Sequence, residues 1–119
     1  MATGARGEGI LEVDGKEYAI LFTNRALAEA ERATGKTITE IILKTQNNSL
    51  GIWDIAQLLA IGLEHARRDR HSRPTSYTIN DAWTILDAVG FVAVLTVVIE
   101  ALMAVVAYNV PKESEGPPA

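Results

Sequence analysis

The sequence predicts an α+β chain, mainly α, in which an N-terminal β-hairpin packs on a bundle of about five helices. Three observations lead there. The stretch GILEVDGKEYAILFT, residues 9–23, alternates apolar and polar residues on both sides of an Asp-Gly pair. From Thr23 onward the apolar residues recur at helical spacing between capping signals. Finally, Gly90 to Val110 is an almost uninterrupted apolar run with Glu100 as its only charge.

A chain of 119 residues, 48% apolar and 22% charged, is long enough for one core and too short for two. The expected organisation is a flexible N-terminus over 1–8, a single globular domain over 9–110 (hairpin 9–22, helices 24–110) and a disordered tail over 111–119. That tail, PKESEGPPA, is polar and Pro-rich and has too little apolar surface to pack.

In the hairpin, Asp14-Gly15 is a two-residue turn signal, because both central positions need positive φ. The turn sets Val13 opposite Lys16 and Leu11 opposite Tyr18. Leu11, Val13, Tyr18, Ile20 and Phe22 then share one face, leaving Glu12, Glu17 and Ala19 on the other. The buried face is what specifies the register. Because an isolated hairpin is marginal in water, that face must lie on helices.

The first helix starts at Thr23 or Asn24, whose side chain can accept from a free amide of the first turn. Ala26, Leu27, Ala30 and Ala33 form its inner face and Gly35 its left-handed stop. Thr37 with Glu40 is a capping box that opens a short second helix. Ile38, Ile41, Ile42 and Leu43 are its expected stripe, Asn47-Asn48 its end, and Ser49 the cap of the third helix. That helix is expected from Leu50 to Ala66, with Trp53, Ala56, Leu59, Ala60 and Leu63 on one stripe and Leu58, Ile61 and Gly62 widening it. A charged loop containing Pro74 ends it. Thr78 with Asp81 resembles another cap, followed by Trp83, Ile85, Leu86 and Val89. Gly90 then separates this fourth helix from a fifth over Phe91 to Asn109.

Several classes of chemistry are excluded or disfavoured. The chain has no cysteine, so disulfides, thiolate zinc sites and cysteine nucleophiles are impossible. A net charge of −4 argues against a dedicated nucleic-acid binder. The cluster Arg67, Arg68, Arg70, His71 and Arg73 reads as a solvated loop, diluted by Glu64 and Asp69. His65 and His71 straddle a helix end without a third ligand, so no metal is expected and a surface or capping role is assigned to both. Gly35-Lys36-Thr37 is no phosphate loop, since the required earlier glycine is Ala30, inside a helix. Glu29 and Glu31 are two apart on a helix and face different ways. No nucleophile, base and orienter can be assembled, so no enzyme and no cofactor are expected. The N-terminus MATGARGEG lacks the apolar core of a signal peptide, and the cytosol is the expected compartment.

The last helix is the strongest anomaly. Its length approaches the ~20 apolar residues of a membrane span, but Glu100 at mid-span is costly there and no Lys or Arg precedes Lys112 as an anchor. A membrane span is therefore the disfavoured reading. The alternatives are a core helix enclosed on all sides, or a helix keeping one stripe (Phe91, Leu95, Val98, Leu102) for another chain. Trp53 and Trp83 are further candidate anchors.

The ordered set Arg6-Gly7-Glu8, Asp14-Gly15-Lys16, Tyr18, Phe22, Thr23, Asn24, Ala26-Leu27, Glu29, Glu31, Gly35 and Glu40 resembles the N-terminal half of small tail proteins of siphophages and gene transfer agents. Gly62, Leu63 and His65 in LLAIGLEHARRD, and the segment TINDAWTILDAVG, are similar to its later helices. The resemblance covers about residues 6 to 90 in order; the last helix matches only in character. It implies a tail assembly chaperone that coats the tape measure protein and keeps it soluble while the tail tube polymerises. It implies residence in the host cytoplasm and absence from the finished virion. Self-association and a longer frameshifted form also belong to that expectation. The alternative label is a structural, tube-associated tail protein, and a small membrane protein is a second alternative. A tube subunit needs a large sheet, and one hairpin is too little strand.

Overall fold

The computed structural model describes residues 6–109. Two antiparallel strands, β1 (Gly7–Val13) and β2 (Lys16–Phe22), are followed by five helices: α1 (Asn24–Thr34), α2 (Ile38–Gln46), α3 (Ile52–Arg70), α4 (Ile79–Val89) and α5 (Phe91–Asn109). The fold is the expected hairpin plus helices. The expectations for 1–5 and 111–119 lie outside the described residues. Gly7 and Glu8, expected in a flexible leader, belong to β1, so the hairpin begins two residues before Gly9.

The register is the expected one, with Leu11 opposite Tyr18, Val13 opposite Lys16 and Glu12 opposite Glu17. Asp14 and Gly15 both have positive φ, 52° and 82°. One departure is Leu21. It sits on the side expected to be wet and is nonetheless buried, as are its neighbours Ile20 and Phe22. Both faces of β2 near its end are therefore covered.

Helix α3 is the hub. It packs on β2, α1, α4 and α5, while β1 packs chiefly on α5. Two close approaches make this possible. A Cβ added at Gly7 would lie 1.8 Å from the Ala101 carbonyl oxygen of α5, and one at Gly9 would lie 2.7 Å from Val97 Cγ1. Any side chain there would lift β1 off the helix.

The capping chemistry largely follows the sequence. Thr23 Oγ1 accepts from the Ala26 amide at 3.2 Å. Gly35 adopts the left-handed conformation at the end of α1. Thr37 and Glu40 form the capping box, the Glu40 carboxylate accepting from the Thr37 amide at 2.8 Å and lying below its ordinary pKa on account of that bond. Ser49 does not cap α3. Its hydroxyl donates back to the Lys44 carbonyl, and Gly51 is the N-cap. The helix consequently starts at Ile52, later than expected, and runs on past Ala66 to Arg70, where His71 closes it in a left-handed conformation. Leu43, expected in the α2 stripe, is exposed, and so is Trp53, expected on the buried stripe of α3. Asp54 takes the inward position beside Trp53 instead, its charge met by Lys36 Nζ at 2.8 Å.

Candidate functional site: the outer face of α5

An α-helix turns about 100° per residue, so the inward and outward faces of α5 can be read from burial. Val94, Val98, Ala101, Leu102 and Val105 are buried and join the core. On the opposite side Val92 is 71% exposed and Met103 39% exposed. Leu95, Ile99 and Val106 lie between, each partly buried. Val92, Thr96, Ile99, Met103 and Val106 recur at alternating four- and three-residue steps, the seam that a second helix packs against. Thr96 is the one polar member of that seam, and its hydroxyl donates to the Val92 carbonyl at 2.9 Å. That leaves its methyl as the outward group. Glu100 is exposed on the same outward side of α5, one turn on from Thr96 and beside the seam.

At the start of α5 the seam opens into a slot of about 190 Å³ lined by Thr45, Asn48, Leu50, Phe91, Val92 and Leu95. The slot is floored by the end of α2 and is large enough for one or two apolar side chains. Tyr108, near the other end of the helix, is also exposed.

The structure sorts the six residues selected from sequence. Phe91 and Leu95 line the slot. Trp53 and Trp83 come together, with ring centroids 6.0 Å apart; Trp53 is 56% exposed while Trp83 packs against the core. Val98 and Leu102 are corrections. Both are fully buried within the chain, on the side of α5 that faces the rest of the domain, and neither is available to another chain. The stripe Phe91–Leu95–Val98–Leu102 runs at an angle across the boundary between core and surface. Val92, Ile99 and Met103 were not selected because apolar residues surround the whole of α5, and the polar marks of its outer face, Thr96 and Glu100, are too few to single them out.

The basic loop differs from the solvated loop expected. Glu64 organises it. Its carboxylate accepts from Arg67 at 2.6 and 2.9 Å, from Arg68 at 3.0 Å and from the Tyr77 amide at 2.8 Å. Arg67's hydrogen bonds hold the Glu64 carboxyl at about 2 despite the opposing effect of burial. Arg67 also donates to the Arg73 carbonyl, and Arg73 lies over the Tyr77 ring at 3.9 Å. The α3–α4 connection is thus folded back on α3. His65, expected at the surface, is buried, with Nε2 3.0 Å from Glu29 Oε1 across the α1–α3 contact. Glu31 points elsewhere and accepts from the Ile38 amide. Among the described residues no group of three His, Asp or Glu could hold a metal ion.

The comparisons with known proteins come to one match. A family model described as phage tail tube protein, GTA-gp10 matches residues 6–104, from the hairpin through about the first three-quarters of α5. The chain belongs to that family. It is a family of phage and gene-transfer-agent tail assembly chaperones and is non-enzymatic. No curated protein and no solved structure matches. The model reaches into α5, whereas the ordered resemblance in the sequence stops near residue 90. The helix with the outward seam is therefore part of the GTA-gp10 family's shared region.

Proposed function

We propose that this GTA-gp10 family member acts in the host cytoplasm as a tail assembly chaperone for the tape measure protein, holding helical apolar segments of that protein against the outer face of α5 until the tube replaces it. The observation that carries this reading is the seam Val92–Thr96–Ile99–Met103–Val106, in which Val92 and Met103 are exposed apolar side chains and Ile99 and Val106, packed on the core at their inner edge, are only partly buried. Helix-in-groove docking uses such i, i+3/i+4 anchors. A seam one helix long supports only moderate affinity, which suits a coat that must leave, and many copies along one client compensate through multivalency. The same face can take a second copy of the chain, or the longer frameshifted form, when no client is present.

The tube-subunit alternative is less well supported, because the only sheet among the described residues is the two-stranded hairpin. The membrane alternative draws on α5 itself, which is long and apolar enough to cross a bilayer, with mean hydropathy 2.4. Against it stand the five core residues of α5 and the close seating of Gly7 on Ala101; both contacts would be lost on insertion. Co-expression with the tape measure protein tests the proposal. The long protein should stay soluble with the wild-type chain and precipitate with a folded Val92→Asp/Met103→Asp variant. Equal solubility with both would refute it.

A further inference from the structure

A second surface, on the far side of the hairpin from the α5 seam, is built for a different ligand. Between the β1–β2 turn and the α3–α4 connection lies a cleft of about 250 Å³. Its apolar lining is the exposed Ile10 and the half-buried Ala19, backed by the buried Leu63 and Ala66, and its charged lining includes Lys16, Arg67, Arg70 and Arg73. Two of these cations are committed. Arg67 is bound to Glu64, and Arg73 is stacked on Tyr77 and lies 3.7 Å from Asp81. The other two are not. Among the described residues Lys16 and Arg70 make no ion pair, and Lys16 rests only against the Tyr18 ring at 5.0 Å. In a chain of net charge −4, this places two unspent cations beside an apolar lining in one cleft.

We propose that this cleft binds an acidic peptide segment, an apolar side chain meeting that lining while an adjacent carboxylate is held by Arg70 and Lys16. A guanidinium fork matches a carboxylate bidentately, and the committed arginines hold the wall in place before the ligand arrives, which limits the ordering cost. Charge complementarity selects a peptide over nucleic acid. Glu17 lines the same cleft, and Glu12 stands opposite it on the hairpin, so a polyanion would meet repulsion where a single carboxylate can avoid it. Stacking platforms for bases are also taken, since Arg73 covers Tyr77 and Tyr18 meets the same ring edge-on at 6.4 Å. The inference goes beyond the α5 reading and does not depend on it.

The test is a titration of the isotope-labelled full chain, followed by amide NMR, with the peptide Gly-Leu-Glu-Leu-Gly, its Gln counterpart and a short oligothymidylate. The Glu peptide should give saturable shifts at Lys16, Ala19 and residues 66–72, with affinity on the order of 100 µM. Arg70→Glu with Lys16→Glu should weaken it about tenfold or more, and Glu17→Gln should strengthen it about twofold. A dispersed spectrum shows that each variant is folded. Val92→Asp/Met103→Asp should leave this binding unchanged, so the two surfaces can fail separately. Equal shifts with the Gln peptide, wild-type affinity in the Arg70/Lys16 variant, or oligothymidylate binding as tightly at the same residues would each overturn the proposal.

Discussion

Glu64 offers the most quantitative check on how the α3–α4 connection is held. The perturbation is Glu64→Gln, which keeps the shape and an acceptor for the Tyr77 amide but removes the charge facing Arg67 and Arg68. The folded carboxyl is held at about 2, against an ordinary 4.5. At about 1.4 kcal/mol per pH unit that difference gives an upper figure of about 3 kcal/mol. Arg68 is largely exposed and solvent screens its share, so about 2 kcal/mol is expected. Because the folded value is depressed, this stability is fully present above about pH 4.5 and is lost as pH falls toward 2. Urea unfolding of both proteins at pH 7, 5, 4 and 3 reads it. The variant should be about 2 kcal/mol less stable at pH 7, and the gap should narrow steadily below pH 4.5. Asp69, lowered by its hydrogen bond from Arg6, and Glu40 lose stability over the same acid range in both proteins, so they cancel in the difference. A gap that stays constant from pH 7 to pH 3, or no gap at pH 7, would refute the assignment of Glu64 as the organising charge.

Other expected outcomes concern packing and the seam. Gly7→Ala should cost about 3 kcal/mol, because the new methyl lands on the Ala101 carbonyl, and should lower Tm by roughly 12 °C; an unchanged Tm would disprove the tight seating of β1 on α5. Leu102→Asp should prevent folding, seen as loss of cooperative melting, since it buries an unpaired carboxylate in the core. Val92→Asp should change stability by no more than about 0.5 kcal/mol by thermal melting, because its site is already wet. Glu29→Ala should cost about 1–2 kcal/mol in urea unfolding by leaving the buried His65 ring without its partner. In a Trp83→Phe protein, acrylamide should quench Trp53 readily when the chain is free. Protection on adding the client would place Trp53 in the contact, and undiminished quenching would remove it.

How much of this was legible in the sequence depends on how far apart the interacting residues lie. The hairpin register could be read because Asp14-Gly15 fixes it locally and the alternation of Leu11, Val13, Tyr18, Ile20 and Phe22 agrees. The caps at Thr23 and Thr37 could be read because cap and recipient amide are three residues apart. The extent of α3 could not, because Arg67, Arg68 and Arg70 resemble a loop until Glu64 and Tyr77, thirteen residues apart in the chain, are seen to meet. His65 looked like a surface residue because Glu29 reaches it from another helix. For α5 the difficulty was near-uniformity: apolar residues lie on every side, and only Thr96 and Glu100, four apart and both exposed, mark the outer face. Phe91 and Leu95, partly buried, border the slot at the start of the helix, whereas Val98 and Leu102 are wholly enclosed.

The seating of α5 is decided at the other end of the chain. With the Ala101 carbonyl occupying the space a Gly7 side chain would fill, and Val97 seated against Gly9, strand and helix engage like a notch and a pawl. Strand and helix come this close only because neither glycine carries a side chain. Two residues with no side chain, almost a hundred positions away in sequence, thereby set how closely β1 lies on α5. Enlarging them would lift the strand from the helix and unseat α5, while leaving every residue of its outer face untouched.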